Sequence, residues 1–449
     1  MKPEIPDVSR RAFIGSVAAA AVSACATTSK PAPQTTPGAA ATTGAAARVT
    51  PKAPDGPVLR AGLIGCGGRG RGAANNFLDA GPNLQIVALA DVFPDRVAEA
   101  QKLLKERRGQ DIPNDKCYTG FDAYQKLIES GGVDIVLHAT PPHFRPLHAP
   151  AVIAAKKHLF MEKPISVDVP GAKIIIDLAD RATSQGLSVM TGTQLRRDLG
   201  RMAVQKRVRD GAIGDITSLR TIRNQGALWY RVPEPGWSDM EYQIRDWVNW
   251  GWLSGDIIVE QHIHHLDAML WILGETPKRA VGMGAHVRRR TGDQYDFFSI
   301  DYTYDGNVHM HSTIRQLNGC ANEAQEVVVG TKGYADVGYG GTPALYDLTG
   351  KQVWKYTGPE NDPLVQEHVD FVTAIRTGKP INTAKETALS TLMAIMGRDS
   401  AYSGKAITWD DLLASTSRLG PTEYAFGPLP FKPVAPKAGV DQAPPRRTT

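Results

Sequence analysis

The chain has 449 residues, with 51 Lys and Arg against 46 Asp and Glu, which gives a formal net charge of +5 with the histidines neutral. At 42% hydrophobic and 22% charged residues, its composition is that of a globular protein and excludes collagen-like, fully disordered and multi-spanning membrane chains. A charge this close to neutral gives no electrostatic reason to expect nucleic acid as a partner. The 4 cysteines include no CxxC pair and are too few to form a disulfide framework in a chain of this length.

The first 25 residues have the pattern of an export signal. Arg10 and Arg11 form a twin-arginine pair, and residues 12–24 are apolar, rich in alanine and uncharged. This run is shorter than the roughly 20 apolar residues of a membrane-spanning helix, so it predicts a signal-peptide core. Residues 22–25, Val-Ser-Ala-Cys, resemble a lipobox in which Cys25 carries a lipid anchor, and an ordinary cleavage site is the alternative. We expect an exported, periplasmic protein that touches the membrane only through its lipidated N-terminus.

Two other segments have compositions that predict no regular structure. Residues 26–58 are mostly Ala, Thr, Pro and Gly, which bury too little apolar surface to offset their ordering entropy, so we expect a disordered linker. Residues 416–449 form a proline-rich tail, in which seven prolines block helices and sheet pairing. Neither segment is expected to contribute to chemistry. The folded part is expected to comprise a first domain over 59–190 and a second over 191–415.

The first domain opens with a short apolar strand that runs into a glycine-rich turn. Residues 59–64 precede Gly65, Gly67 and Gly70, the spacing GxGxxG. In a dinucleotide fold the first glycine permits the tight turn, the second lets the backbone approach a pyrophosphate, and the third lets the next helix pack on the strand. The N-terminus of that helix offers free N–H groups to the phosphates. The predicted cofactor-binding residues of this loop are Gly65, Gly67, Gly68, Arg69 and Gly70. Arg69 needs to contribute only its backbone N–H.

A second apolar strand, over residues 85–90, ends in Asp91, about 20 residues past the last glycine. A carboxylate at this position accepts hydrogen bonds from the adenosine ribose and repels a 2′-phosphate, which favours NAD over NADP. Two alternatives stay open. Asp91 could cap a helix that starts near Pro94, and Arg96 could accommodate the phosphate of NADP.

Strands and helices continue to alternate along the first domain. Further apolar strands are predicted at 133–139, 158–161 and 188–191, with a helix around 149–156. This alternation predicts a doubly wound parallel Rossmann sheet, whose ligand lies at the carboxyl ends of the strands. Residues that follow those strand ends are expected to contact the cofactor: Thr140, Pro141, His143, Glu162 and Lys163.

Together these motifs resemble the Gfo/Idh/MocA family of glucose-fructose oxidoreductases and inositol dehydrogenases. The similarity covers roughly residues 59–408 and is most specific in the Glu-Lys-Pro tripeptide at 162–164 and in the segment 255–267, which contains His264. The resemblance implies an NAD-dependent oxidoreductase in which Lys163 lies beside the nicotinamide and the substrate hydroxyl. It also implies a homo-oligomer formed through one face of a second-domain sheet.

The chemistry of Lys163 agrees with that role. An ammonium group at a partly desolvated strand edge can polarise a hydroxyl while hydride leaves the same carbon. Glu162 and Pro164 would position it. The alternative is an exposed lysine on a loop.

Residues 255–273 are predicted to form one helix that carries an acid–base pair. Glu260 and His264 are four positions apart and therefore lie on one face of a helix. We expect Glu260 to orient the pair and His264 to move a proton, with Asp267 supporting the helix or the substrate. The family usually has Asp where this chain has Glu260 and a small residue near His262, so the pocket is expected to differ in shape.

Three histidines and a glutamate within six positions also suggest a metal ion. On a regular helix, however, His262 and His265 lie on a different side from His264, so no metal site is predicted. His262 is assigned to the substrate pocket, with the helix surface or the edge of the core as the alternative. His265 is expected to be a surface or core-edge histidine bonded to backbone.

The second domain is predicted to be α+β. Strands are predicted at 216–222, 280–287, 297–304, 308–314 and 326–329. Short turns, such as that at 305–307, predict an open, mainly antiparallel sheet with helices on one face. At the crossover into this domain, Arg196 matches an arginine that is usual in the family.

An aromatic segment between residues 229 and 252 points to a sugar. Aromatic faces stack on sugar rings, and Arg and Asn side chains bind hydroxyls, so this segment favours a carbohydrate or polyol. Core packing is the alternative for about half of these aromatics. The predicted substrate-binding residues are Arg196, Trp247, Asn249, His262 and Asp267.

Export and cofactor use together suggest the type of turnover. A protein that folds before export into a compartment without a dinucleotide pool must carry its cofactor already bound. It then has to return the hydride before it can turn over again. We therefore predict an NAD-dependent oxidoreductase with tightly bound cofactor and redox-neutral turnover on a carbohydrate or polyol hydroxyl. The alternatives are an NAD-dependent glycoside hydrolase that works by transient oxidation and elimination, and a non-catalytic sugar-binding lipoprotein.

Overall fold

The computed structural model describes residues 47–439. The twin-arginine pair, the apolar run after it and Cys25 lie outside these residues, so the export signal and the lipid anchor stay predictions. Within 47–439, no helix combines the length and the apolar character that a membrane span requires.

Part of the predicted linker is folded. Residues 47–49 pair with Glu360, and further along Ala53 is buried against the first domain, where its N–H donates to the carbonyl of Ala80 at 2.7 Å. The guanidinium of Arg376 donates to the carbonyl of Pro54 at 2.5 Å. The expectation of disorder is therefore wrong for residues 47–58, because specific main-chain hydrogen bonds provide what a low apolar content does not.

Within the described chain, the first domain is built on a sheet of six parallel strands. These strands are β1 (Leu59–Ile64), β2 (Leu84–Asp91), β3 (Cys117–Thr119), β4 (Ile135–His138), β5 (His158–Met161) and β6 (Val189–Thr191). Their order is β3-β2-β1-β4-β5-β6. The helices of this part are α1 (Gly68–Asp79), α2 (Pro94–Arg108), α3 (Ala123–Glu129), α4 (Arg145–Ala154) and α5 (Val169–Ser184). The predicted doubly wound parallel sheet is confirmed.

Both faces of this sheet are buried. On one face Leu63 and Leu89 pack with Phe77 of α1, and on the other face Ile64 packs in the cluster that contains Ile175 of α5. Strands buried on both sides read as continuous apolar runs, which is why β1 and β5 have the predicted bounds. Polar side chains of these segments are left to the carboxyl edge, where they follow the strands.

The second sheet has nine strands among the described residues. They are β7 (Ile216–Gln225), β8 (Arg279–Ala285), β9 (Phe297–Thr303), β10 (His309–Gln316), β11 (Glu323–Gly330), β12 (Gly333–Asp336), β13 (Ala344–Asp347), β14 (Gln352–Lys355) and β15 (Ile407–Thr408). Their order is β14-β13-β12-β11-β7-β10-β9-β8-β15. β7 and β10 are parallel, and the other neighbours are antiparallel. The open, mainly antiparallel sheet is thus confirmed, and β12 to β14 extend it beyond the predicted strands.

The helices of the second half cover one face of this sheet and also return to the first domain. They are α6 (Leu199–Arg209), α7 (Asp239–Arg245), α8 (Gly251–Ser254), α9 (Ile257–Glu260), α10 (Ile263–Leu273), α11 (Pro363–Arg376), α12 (Ala384–Ser403) and α13 (Trp409–Ala414). α12 packs on β8 and β9, whereas α11 packs on α1 and places Phe371 in the core of the first domain. The chain therefore crosses between the two sheets more than once.

The single helix predicted over 255–273 is interrupted, and that prediction is wrong. α9 ends at Glu260, and α10 starts at Ile263 with the N–H groups of His265 and Leu266 donating to the carbonyl of His262. The carbonyl of Glu260 accepts from the Lys163 ammonium at 2.7 Å, and that of Gln261 accepts from Arg223 at 2.9 Å. The break persists because cations from outside the helix bind the carbonyls that a continuous helix would use internally.

A buried charge network joins the second sheet to its helices. Arg201 of α6 donates to the carboxylate of Glu326 on β11, and the Nδ1 atom of His265 lies 2.9 Å from the other oxygen of Glu326. Glu326 and His265 have side chains that are 0% exposed. Burial opposes ionisation of Glu326, but the charge of Arg201 prevails and lowers the pKa of this carboxyl. A buried charge of this kind is tolerated only while its partner is present.

The Glu326→Ala variant should be strongly destabilised. It leaves the Arg201 guanidinium buried without its partner, which costs about 3–5 kcal/mol of unfolding free energy. Urea denaturation at pH 7, followed by circular dichroism, measures the loss. The matched control is Glu323→Ala on the same strand, where the partner Arg220 lies 3.8 Å away and both side chains are about half exposed. The control should lose less than about 1 kcal/mol. Equal losses in the two variants would contradict the argument.

Candidate functional site

A cavity of about 970 Å³ lies at the carboxyl ends of β1, β2 and β4. Its lining contains the predicted cofactor residues Gly65, Gly67, Gly68, Arg69, Gly70, Asp91, Thr140 and Pro141. The volume is within the range of cofactor pockets, and the position is that expected for the ligand of a doubly wound sheet.

The glycine turn is shaped for close approach of a ligand. Gly65 has φ +93°, and a Cβ at Gly70 would lie 1.8 Å from the carbonyl oxygen of Gly65, so neither position accommodates a side chain. A Cβ at Gly67 or Gly68 would meet no atom within 4 Å, so the backbone there faces open space. α1 starts at Gly68 and presents free N–H groups to that space. This arrangement fits the pyrophosphate of a dinucleotide.

Asp91 joins the end of β2 to the glycine turn. One carboxylate oxygen accepts from the N–H of Cys66 at 2.7 Å, and the other accepts from the N–H of Phe93 at 3.0 Å. Phe93, not Asp91, is the N-cap residue of α2. Burial raises the pKa of Asp91, although these two hydrogen bonds favour its ionised form. Arg96 also lines the cavity, so both groups that bear on NAD against NADP face the same space.

Arg69 does more than the sequence interpretation allowed. Its Nε donates to the carboxylate of Glu162 at 2.5 Å, so the glycine loop is bonded to the Glu-Lys-Pro turn. Glu367 of α11 lies buried nearby, and burial, followed by the charge of Glu162, raises its pKa well above the ordinary value. This contact could have been predicted, because Arg69 and Glu162 carry opposite charges and belong to two motifs at the same edge of the sheet. The consequence is that the backbone that precedes Lys163 is fixed to the phosphate-binding loop.

The structure brings two of the three predicted catalytic residues, Lys163 and Glu260, into direct contact. The Lys163 ammonium donates to the carbonyl of Glu260 at 2.7 Å and to its carboxylate at 3.2 Å, and the two side chains are 11% and 9% exposed. The third, His264, lies in the first turn of α10, four residues after Glu260. Burial, followed by the neighbouring Lys163 charge, holds the pKa of His264 well below the ordinary value. The group therefore consists of a paired cation beside a neutral imidazole, and it lies next to the described lining of the 970 Å³ cavity rather than within it.

Arg196 and Asp267 form an ion pair with each other instead of facing a substrate. The Arg196 guanidinium donates to both oxygens of the Asp267 carboxylate, at 2.9 and 2.8 Å, and Ser390 donates to the same carboxylate at 2.5 Å. Both charged side chains are buried. They tie the crossover segment to α10 and α12, so the geometry gives them a structural role where a substrate-binding role was predicted.

His262 and His265 face the second sheet, away from the catalytic group. His262 is buried, with its Nε2 atom 2.7 Å from the hydroxyl oxygen of Ser312 on β10 and 3.2 Å from that of Thr221 on β7. His265 was expected to bond to backbone and instead contacts the Glu326 carboxylate in the core. The assignment of His262 to the substrate pocket is therefore not supported by its position. Among residues 47–439, no group of three or more His, Cys, Asp or Glu side chains is placed to hold a metal ion.

The aromatic segment is divided between cavity and core. Trp229 and Trp247 line the cavity, with ring centroids 6.5 Å apart, whereas Trp252 is buried and donates its indole N–H to Gln243 at 2.7 Å. Asn249 is buried and donates to the carbonyl of Trp229 at 3.2 Å. Of the predicted substrate residues, Trp247 thus faces the cavity, and Asn249 holds the backbone next to it.

The tail that was expected to be uninvolved lies against this site. Thr422, Glu423 and Tyr424 line the cavity, and the hydroxyl of Tyr424 lies 2.7 Å from Nε2 of His143. His143 is buried beneath this contact and lies outside the described lining of the cavity, so its predicted direct contact with the cofactor is not supported. Residues 416–439 contain neither helix nor strand, as predicted, but their packing contradicts the expectation that they take no part in the site.

Sequence models of two domains match the chain. The model described as "Oxidoreductase family, NAD-binding Rossmann fold" matches residues 59–191, and the model described as "GFO/IDH/MocA C-terminal domain" matches residues 202–336. These matches cover the domain with the glycine turn and most of the second sheet.

Curated relatives and solved structures agree with these matches. The chain is 29% identical over 265 residues to glycosyl hydrolase family 109 protein 1 of Bacteroides fragilis, covering 55% of this chain and 52% of the relative. It is 26% identical over 289 residues to inositol 2-dehydrogenase of Rubrobacter xylanophilus, covering 63% of this chain and 72% of the relative. The matched region spans about half the length of several such relatives. A crystal structure of an oxidoreductase from Agrobacterium radiobacter in complex with NAD+, L-tartaric acid and magnesium shares the fold, with a TM-score of 0.61, 19% identity, and coverage of 78% of this chain and 98% of that one.

Two histidines, His148 in the lining of the cavity and buried His143, predict acid sensitivity. Burial lowers the pKa of His143 and of His148 to about 3, whereas an unfolded histidine titrates near 6.5. The unfolded chain therefore binds more protons below about pH 6.5, so each histidine's stability contribution is full above that pH and is lost as the pH falls toward 3. Between pH 7 and pH 5 each should cost about 2 kcal/mol of unfolding free energy.

The His148→Gln variant tests this effect, because glutamine does not titrate and keeps a hydrogen-bonding group beside His138, which lies 3.2 Å from His148. Urea denaturation at pH 7 and at pH 5 should show that the variant loses about 2 kcal/mol less than the parent. His311→Gln, at an exposed position, is the control and should follow the parent. Identical pH dependence in the parent and in His148→Gln would exclude the assignment.

Proposed function

Because the chain belongs to the Gfo/Idh/MocA oxidoreductase family, whose fold binds NAD, we propose that it is an NAD-dependent oxidoreductase acting on a hydroxyl group of a carbohydrate or polyol. The observation that carries the proposal is the contact of Lys163 with Glu260 beside a neutral His264, at the edge of a sheet whose glycine turn faces an open cavity. The Arg69–Glu162 bond links the two parts of this arrangement.

The residues around the cavity fit a dinucleotide. The N–H groups at the start of α1 would hold the pyrophosphate, where Gly67 and Gly68 leave the backbone open. Asp91 would accept from the ribose hydroxyls, and its charge favours NAD over NADP. When bound, the nicotinamide supplies the acceptor for a hydride from the substrate carbon. Trp229 and Trp247 offer apolar faces to a sugar ring.

Lys163 and His264 have different roles in the proposed reaction. The Lys163 ammonium, held by the carbonyl and carboxylate of Glu260, polarises the substrate hydroxyl and stabilises negative charge on its oxygen. The neutral imidazole of His264 takes the hydroxyl proton, so the carbon that loses hydride becomes a carbonyl. The Lys163 charge also disfavours protonation of His264 before substrate arrives, which keeps the base available.

Glycoside hydrolysis is the second candidate, supported by the similarity to a glycosyl hydrolase family 109 protein. Oxidation of one hydroxyl makes the neighbouring C–H acidic, and loss of that proton expels a glycosidic oxygen one carbon further along. Addition of water and return of the hydride complete the cycle without net oxidation. A tightly held cofactor would serve this cycle and a sugar-to-sugar hydride exchange equally.

We also propose that the protein is exported through its twin-arginine signal, is anchored at Cys25 in the periplasm and forms a homo-oligomer. The motifs at residues 10–25 support the first two proposals, and the exposed side chains Val281 and Met283 on β8 support the third. In the Cys25→Ser variant, cell fractionation should find the protein in the soluble periplasmic fraction instead of the membrane fraction. If the variant stays on the membrane, the proposed anchor at Cys25 is contradicted. If the parent protein is found in the cytoplasm, the proposed export is contradicted.

The Lys163→Met variant tests the enzymatic proposal. It removes the ammonium but keeps a chain of similar length, so turnover on an active sugar should fall by at least about 100-fold. The dinucleotide released on denaturing the purified variant should match that of the parent, since Lys163 lies outside the phosphate-binding loop. Nicotinamide fluorescence follows the redox change, and a chromogenic glycoside tests bond cleavage.

The control is Lys102→Met, on the exposed surface of α2, which should turn over like the parent. Full turnover by Lys163→Met would contradict the catalytic role proposed for Lys163. A parent protein that binds sugar and holds no dinucleotide would favour the non-catalytic binding protein. Release of the chromophore without net NADH would favour glycoside hydrolysis.

A further inference from the structure

The segment that follows α13 is held by one hydrogen bond to the first domain and by another to α7 of the second. The N–H of Leu419 donates to Asp168 at 2.9 Å, using the carboxylate oxygen that does not cap α5. Further on, the carbonyl of Gly427 accepts from the N–H of Met240 at 3.1 Å. These residues lie beyond the region matched by the two domain models, which ends at residue 336. The position of the segment is therefore a feature of this chain that the family match does not describe.

Between these points the segment places two aromatic rings on one side of the cavity. Phe426 stacks on Phe93 with centroids 5.9 Å apart and planes inclined by 20°, and it lies 5.2 Å from Phe121. Tyr424 lies 6.2 Å from Phe121. Phe93 follows β2 by two residues and Phe121 follows β3 by two, so the contact falls where these two strands end. In a doubly wound sheet that side of the crevice holds the adenosine half of a dinucleotide.

Tyr424 contacts both the cavity and the buried residue His143. Its ring lines the cavity, and its hydroxyl lies 2.7 Å from Nε2 of buried His143. Burial raises the pKa of Tyr424 to about 12 and lowers that of His143 to about 3, so the contact joins a protonated phenol and a neutral imidazole. Gly420 approaches the same place, since a Cβ there would lie 2.7 Å from the His143 ring. His143 thus fastens the segment over the cavity.

We propose that residues 419–431 form a strap that closes the adenosine side of the dinucleotide site, with Tyr424 contacting the cofactor and Phe426 fastening the strap to the first domain. The proposal rests on the proposed function, because it assigns a dinucleotide to the cavity. A cofactor behind the strap leaves only after the aromatic stack and the Tyr424–His143 bond open. The strap therefore makes release slow, which a protein that keeps its cofactor through many turnovers requires.

The experiment measures cofactor release from the full-length protein. The parent, Tyr424→Phe and Phe426→Ser are loaded with NADH, and the loss of its fluorescence after mixing with excess NAD gives the dissociation rate. Each variant should release NADH roughly tenfold faster than the parent, the effect of losing one hydrogen bond or one aromatic stack. Each should also retain less dinucleotide through purification. Val434→Ser, three residues past the strap at a position 67% exposed, should behave like the parent.

The outcomes separate the strap from the underlying function. Equal dissociation rates in the parent and both variants would overturn the strap while leaving the dinucleotide site in place. A parent that binds no NADH would overturn both. Tyr424→Phe changes a single oxygen atom, so it tests the strap even if Phe426→Ser fails to fold, and a urea midpoint for each variant identifies that case.

Discussion

The arrangement of the site depends on one cation from the first domain binding a carbonyl from the second. Lys163 reaches the backbone oxygen of Glu260 at 2.7 Å, and that oxygen is free because α9 ends there. A largely buried ammonium group needs hydrogen-bond acceptors, and the last carbonyls of a helix need donors. The contact of Lys163 with Glu260 satisfies both groups. The same contact fixes the distance between the cofactor edge of the first sheet and the helix that carries His264. It joins Lys163 of the first domain to the segment of the second that carries the other two proposed catalytic residues, Glu260 and His264.

The remaining charged pairs hold the frame in which this contact forms. Arg196 with Asp267, and Arg201 with Glu326, are buried pairs that connect helices to the crossover and to β11. After burial, the Lys163 ammonium is the charge that lowers the pKa of His264 most strongly, and Arg223 and Arg201 act in the same direction. The result is an imidazole kept neutral by its surroundings, which is the protonation state that a base requires.

Features that depend on local interactions could be predicted from the sequence, whereas those that depend on tertiary contacts could not. β1 and β5 follow from local apolar runs, and the glycine turn follows from backbone geometry that glycine alone adopts easily. The break before Ile263 does not, because periodicity describes a helix face and cannot register a lysine 97 positions earlier that binds a carbonyl. Arg196 and Asp267 have side chains suited to a sugar, but their mutual pairing depends on tertiary structure. In the tail, the average composition hid Tyr424 and Phe426, which are aromatic residues among prolines.

The proposed catalytic group is compatible with both proposed reactions, hydroxyl oxidation and glycosidic elimination. Both reactions begin with loss of a proton from oxygen and of a hydride from carbon, and both need a cation beside the oxygen and a neutral base within reach. Lys163 and His264 meet these needs without reference to what is attached to the neighbouring carbon. The two outcomes therefore differ in how the sugar is oriented against Trp229 and Trp247 and in where a leaving group would lie. On this proposal the rings that line the cavity, and not Lys163 and His264, would decide which of the two reactions occurs.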